Sequence, residues 1–190
     1  MTGDRFPMPS KQCLSPEQQQ AIDQFLTGPR VAIVGPFIPL LRCPELMTRV
    51  QVVGEYVRFD SELDDHLVEV AILSVARFWD QQFEWGFHYP IARDMGLSEE
   101  TLDAIACSRR PDADTEVGVV WEVVDQIQRL HRVDDATFAL AKELLGDTKF
   151  IELVTVVGYY TTLAMVMNTS NTPAPDDGPR LPPIKPECAT

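Results

Sequence analysis

Residues 80–100 read DQQFEWGFHYPIARDMGLSEE. Aromatic and apolar side chains recur here at helical spacing, and Gly96 marks a helix end before Ser98 opens the next one. On a helical wheel at about 100° per residue, Gln82, Gly86, Tyr89 and Arg93 fall together, and that side reads as the solvent face. Gln81, Glu84 and His88 gather on another side, among Trp85, Ile91, Ala92 and Met95. A carboxylate and an imidazole one turn apart on an apolar side need a reason, because buried polar groups cost free energy unless they are partnered.

The preceding segment, LVEVAILSVA (67–76), repeats the pattern. It is apolar nearly all round, the mark of a fully buried helix, yet it contains Glu69. A carboxylate there requires a partner or a proton, and His88 or another donor across the helix pair is a candidate partner. Three readings stay open on the residues alone. The Glu69, Glu84 and His88 set is a structural network that fixes two helices, an acid/base pocket with carboxyl and imidazole groups tuned by burial, or a metal site. For a metal, the spacing of four in EWGFH departs from the spacing of three in helical di-iron sites.

The rest of the chain is helical in period, with short breaks. Residues 1–15 are polar, with Pro7 and Pro9, and read as an arm. SPEQQQAIDQFLT (15–27) has Ser15 as N-cap and Pro16 in the first turn. VAIVGPFIPLLRCPEL (31–46) carries Pro36, Pro39 and Pro44, so it is irregular before a helix from Pro44 to about Arg58. Another helix starts near Ser61 or Leu63, and more are expected over 114–131, 134–145 and 148–168. The tail NTSNTPAPDDGPRLPPIKPECAT (168–190) is rich in proline and polar residues, and is expected to be disordered or to wrap a neighbouring subunit. The division is 1–34 for arm and first helix, 35–168 for the helical domain, and 169–190 for the tail.

Composition narrows the function. A net charge of -13 disfavours nucleic acid and anionic membrane surfaces, which need clustered Lys and Arg. FIELVTVVGYYTTLAMVM (150–167) is long and apolar, but it holds Glu152 and Gly158 and no cluster of basic residues flanks it, so it reads as a buried core helix. The four cysteines are widely separated, with no CxxC, and Cys43 and Cys107 read as small core residues. His131, in RLHRVDD, reads as a group at a helix C-terminus. A cytoplasmic home is expected.

Several motifs together resemble the carboxymuconolactone decarboxylase and alkylhydroperoxidase D-like superfamily. They are GPF…LL…PEL, a buried Glu in a helix, FEWGFHYPIARDMGLSEETLDAIA, and FIELVTVVGYYTTLAMVMN, spanning about residues 35–172. The resemblance implies an all-α helical bundle that assembles into trimers or hexamers. It also implies a pocket between the helices carrying Glu69 and His88. Two departures matter. Peroxidase-type members carry CxxC where this chain has Gln81 and Glu84, so thiol peroxidase activity is not expected. An Arg common before the buried Glu is His66 here, which leaves Arg42, Arg58 and Arg77 as possible replacements.

The resulting expectation is a lyase or decarboxylase-like enzyme, without cofactor or metal, acting on a small enolisable carboxylic acid or lactone. His88 would move the proton, Glu84 would be its acid/base partner, and Glu69 would orient the imidazole. Gln81, Trp85, Tyr160 and Arg77 are the expected substrate-binding residues, with Tyr159 as a further wall. The alternative is a non-catalytic or ligand-binding homo-oligomer. A cavity of a few hundred cubic ångströms beside His88 would favour the enzyme.

Overall fold

The computed structural model describes residues 3–112 and 115–183. Among these residues the chain is all-α. The helices are α1 (Pro16–Phe25), the short α2 (Phe37–Leu40), α3 (Pro44–Glu55), α4 (Asp65–Phe78), α5 (Gln82–Asp94), α6 (Glu99–Ala106), α7 (Glu116–Leu130) and α8 (Asp135–Ser170). A π-helical turn over Tyr56–Asp60 continues α3.

Local sequence sets most of the boundaries. Ser15 accepts from the Gln18 backbone N–H while Gln18 bonds back to Ser15, a reciprocal capping box at the start of α1. Ser98, Thr115 and Asp134 cap α6, α7 and α8 in the same way with one side-chain bond each. The helix α8 is broken at Gly146, whose φ of 73° and ψ of 178° are not helical. The two expected helices over 134–145 and 148–168 are therefore its two limbs. His131 ends α7 in the left-handed conformation, at the expected C-terminus.

The helix α4 is the centre of the bundle. Every residue from Leu67 to Arg77 is buried, and α5, α7 and α8 pack around it. A helix surrounded in this way has no polar face to offer water, which accounts for its near-continuous apolar run. The second limb of α8 is the helix whose composition suits a membrane span, and its most apolar window is 56% buried inside the bundle. Its Glu152 accepts from Tyr56 Oη at 2.7 Å and from the backbone N–H groups of Glu62 and Leu63 at 2.9 and 3.0 Å. One carboxylate thus ties the turn that feeds α4 to α8.

The two ends differ from expectation. The tail, as far as residue 183, does not lie free but folds back over its own α5. Leu181 is buried and exchanges two hydrogen bonds with Gln82. Gly86 faces this strap so closely that a Cβ on Gly178 would sit 2.6 Å from the Gly86 carbonyl oxygen. The side of α5 that reads as a solvent face is therefore partly covered by the tail. The N-terminal arm is also docked, with Arg5 bonded to the carbonyls of Thr169 and Ser170 at the end of α8. Cys43 is exposed and Cys107 half-buried, so Cys43 is no core residue; Cys188 lies outside the described residues.

Glu152→Ala removes the acceptor for three donors, two of them backbone groups. Unsatisfied buried donors cost on the order of 1–3 kcal/mol each, and water can reach part of this turn. Urea denaturation of the variant should show a loss of about 2–3 kcal/mol, with helix content preserved.

Candidate functional site

The site begins with two helices crossing inside the core. Glu69 on α4 and His88 on α5 are both buried, with His88 Nδ1 2.8 Å from Glu69 Oε2. One turn before His88, Glu84 brings Oε2 to 3.4 Å from His88 Nε2. The three groups form a line: carboxylate, imidazole, carboxylate. The Glu69 bond fixes the ring, and Tyr160 and Phe87 pack against it in T-shaped arrangements at centroid distances of 5.4 and 5.3 Å. The line ends at Glu84 Oε1, which is buried and has no hydrogen-bond partner.

Beyond Glu84 lies a cavity of about 50 Å³. Glu84, His88, Tyr159 and Tyr160 form its inner wall, and Arg30 and Arg58 are two further wall residues. The remaining surface is largely aromatic, from Phe25, Phe37, Phe83 and Phe87. Ala32 and Val34 also line it and are exposed, so the cavity reaches solvent along the segment between α1 and α2. Its volume falls short of the few hundred cubic ångströms expected of an open active site. It is about a third of the engineered cavity that admits benzene, so an organic ligand of ordinary size requires the rim to move.

Burial pushes the Glu84 carboxyl above its usual range, with the His88 and Arg58 charges opposing and Glu69 adding to the rise. Burial likewise raises the phenols of Tyr159 and Tyr160. Tyr159 Oη is a second buried polar atom without a partner on this wall. Its position depends on Gly54, where a Cβ would stand 1.9 Å from Tyr159 Oη and 2.9 Å from Arg30 Nη2. Gly35 plays a similar part at the rim. It has a φ of 56°, and a Cβ there would strike the Phe83 ring at 2.3 Å.

Of the residues expected from sequence, Glu69, Glu84, His88 and Tyr160 converge, and Tyr159 joins them. Gln81, Trp85 and Arg77 do not line the cavity. Gln81 is the N-cap of α5: its Oε1 accepts from the N–H groups of Phe83 and Glu84, and its Nε2 bonds Asn168. Sharing a wheel side with Glu84 does not bring a capping residue into the pocket. Trp85 is 1% exposed and packs against Tyr89. Arg77 donates to the carbonyl of Pro182 and to Asp80, beside a separate small cavity lined in part by Ser108, Trp121 and Gln128. Arg58, one of the three possible replacements for the missing arginine, is in the cavity wall, whereas Arg42 caps carbonyls of Ile38 and Pro7. Arg30 was not anticipated at all; the only sequence hint is a lone Arg after Gly28-Pro29 in an aromatic neighbourhood.

Fold and site define a class: an all-helical bundle whose central helix pair carries a buried Glu–His–Glu line facing an aromatic cavity. Residues 44–119 match the carboxymuconolactone decarboxylase family. The matched stretch runs from the start of α3 into α7 and includes Glu69, Glu84 and His88. Three solved structures share the fold. An uncharacterized peroxidase-related protein from Ralstonia eutropha JMP134, with an alkylhydroperoxidase AhpD core, superposes with a TM-score of 0.71 and 17% identity, covering 91% of this chain and 93% of its own. A peroxidase-related protein from Silicibacter sp. TM1040 gives 0.70 and 12%, covering 91% of each chain. A protein of unknown function from Agrobacterium tumefaciens, named as a candidate AhpD antioxidant defence protein, gives 0.64 and 18%, covering 72% of this chain and 94% of its own. No curated protein matches the sequence.

The shift at Glu84 has a consequence for stability. Because its folded-state pKa is raised, the neutral carboxyl is favoured in the fold. That contribution is complete below the unfolded-state value and is lost as pH rises through the folded one. Glu84→Gln keeps the shape without the charge. Chemical denaturation across pH should therefore show the variant gaining stability relative to the parent as pH rises above the ordinary carboxyl range. A difference independent of pH would mean that Glu84 is not held neutral by burial.

Proposed function

We propose that the chain is a proton-transferring enzyme of the lyase or decarboxylase type, acting on a small enolisable carboxylic acid or lactone. The observation that carries this reading is the buried, unpartnered Glu84 Oε1 on the cavity wall, backed by His88 and Glu69. Both ring nitrogens of His88 already face carboxylate oxygens, so Glu84 is the group presented to a ligand and His88 stands behind it. This differs in detail from a direct proton transfer by His88. Glu69 holds Nδ1 and leaves Nε2 directed to Glu84.

In a decarboxylation, the bond between the carboxylate carbon and its neighbour breaks and its electron pair becomes an enolate. The Glu84 acid then delivers its proton to the enolate carbon, and His88 and the solvent at the rim restore that proton. In an isomerisation, the same carboxylate takes a proton from carbon and returns it to another. A carboxyl raised toward neutrality suits either direction. Tyr159 Oη, unpartnered on the same wall, is placed to donate to a developing oxyanion.

Thiol peroxidase chemistry finds less support. The positions of a CxxC pair are Gln81 and Glu84, and none of the three described cysteines lines the cavity. A purely structural Glu–His network accounts for the Glu69–His88 bond, but gives no reason for leaving Glu84 Oε1 and Tyr159 Oη without partners.

We also propose that the chain works as a homo-oligomer. Val52, Val53, Phe59, Ile151 and Val154 are exposed around the Tyr56–Glu152 contact, an apolar surface of the kind that subunits cover. Sedimentation analysis should give a mass above that of one 21.4 kDa chain.

Incubation in deuterated water with a panel of β-keto acids and unsaturated γ-lactone acids should reveal deuterium incorporation into carbon, with carbon dioxide release for a decarboxylation. Loss of a positioned acid or base lowers such rates by about 10²–10⁴-fold, so Glu84→Gln and His88→Ala should both fall by at least a hundredfold. Turnover that survives in folded Glu84→Gln would sink the assignment.

A further inference from the structure

Two cations line the aromatic cavity, and neither is ion-paired with a carboxylate among the described residues; Glu55 favours the charge of Arg30 only at longer range. Arg30 comes from the irregular segment after α1, outside the residues that match the family. Its guanidinium stands 5.5 Å from the Phe25 ring, 5.3 Å from Phe37 and 5.6 Å from Phe59. Its side-chain hydrogen bond goes to a neutral group, Gln51 Oε1, at 3.2 Å. Arg58, in the π-helical turn, lies 5.0 Å from the Phe59 ring and forms no hydrogen bond or ion pair with a described residue. The two guanidiniums are close enough to repel each other, and burial weakens the charged form of Arg30 further.

Unpaired charges in such a place are costly. Buried or half-buried arginines are ordinarily matched with carboxylates, and this chain carries 29 acidic residues against 16 basic ones. The carboxylate on the cavity wall is Glu84, which burial biases toward its neutral form. The cavity is thus locally cationic in an acidic protein, with a phenol and a carboxyl oxygen unpartnered beside the two cations. Planar guanidinium forks bind carboxylates in two-point fashion, and flat aromatic walls suit a planar, conjugated carbon skeleton.

We propose that Arg30 and Arg58 form the anion anchor of the cavity, so that its ligand is a small planar carboxylate held between the aromatic walls. The anchor is built by this chain's own N-terminal segment and π-helical turn. The placement of the ligand rests on the function proposed above, but its recognition does not depend on turnover.

Binding therefore tests it without catalysis. Crotonate, a four-carbon planar carboxylate, and crotonamide, its neutral counterpart of the same shape, would be titrated into the full-length protein by calorimetry and ligand-observed NMR. The expected result is crotonate binding at least tenfold tighter than crotonamide, with Arg30→Gln and Arg58→Gln each losing at least tenfold for crotonate and leaving crotonamide unchanged. Arg30→Lys should recover part of the affinity, since it restores the charge but not the fork. Arg30→Gln also removes aromatic contacts and could unfold the rim. Arg58→Gln, which breaks no hydrogen bond, keeps the test decisive in that event. Equal binding of acid and amide, no binding of either, or unchanged crotonate affinity in folded Arg58→Gln overturns the anchor. Selective, arginine-dependent binding with no proton exchange would keep the anchor and remove the enzyme reading, and exchange indifferent to both arginines would do the reverse.

Discussion

The contact between Glu69 and His88 sets the terms for the rest of the molecule. It joins the two central helices inside an apolar bundle, where neither group could stand alone. Breaking a buried pair of this kind by removing one partner costs about 3–5 kcal/mol, because the survivor keeps the desolvation penalty. The pairing therefore fixes the register of α4 against α5. It also holds the imidazole in one orientation, and the position of Glu84 follows from that. Tyr160 and Phe87 pack crosswise against the ring, and the cavity forms in the space that these groups leave. A bundle of the same helices packed through apolar residues alone would lack both the fixed ring and the void.

Much of this was legible in the sequence, and for identifiable reasons. Helix starts were readable because Ser15 and Ser98 are side-chain caps, and the break in α8 because Gly146 interrupts a continuous pattern. Glu69, Glu84 and His88 were readable because each violates the apolar side it occupies. What could not be read were positions decided by distant partners. Gln81 shares a wheel side with Glu84, yet its amide is spent on the first turn of its own helix. Arg77 lies in the buried central helix, yet it turns to the carbonyl of Pro182. Gly86 looked solvent-facing because nothing local announces that Gly178 and Pro179 will cover it. Arg30 sits in a segment with no period, and only the fold brings Phe25, Phe37 and Phe59 around it.

Backbone room matters as much as side-chain chemistry here. The Tyr159 hydroxyl reaches the cavity wall because α3 has no Cβ at residue 54, and the rim folds over Phe83 because residue 35 has none either. These glycines place the aromatic wall closer to the Glu84 carboxyl than a bundle with side chains at both positions would allow. The result is a small void whose inner end is polar and unpartnered and whose outer end is apolar and exposed. Such a void excludes most water, and that strengthens every charge interaction within it.

Proton transfer and anion recognition would then be coupled through one charge. At present the Arg58 guanidinium opposes the effect of burial on Glu84, holding its carboxyl lower than burial alone would. A carboxylate bound to Arg58 offsets that charge and expels solvent from the rim. Both changes favour the neutral form of Glu84. By linkage, a ligand that raises the affinity of Glu84 for a proton must itself bind more tightly when that proton is present. The ligand that fits the anchor would thereby load the acid that acts on it, and the same loading would not accompany a neutral molecule of equal shape. Selectivity and protonation of Glu84 would then be two consequences of one arrangement, a cation pair placed beside a buried carboxyl in a small cavity.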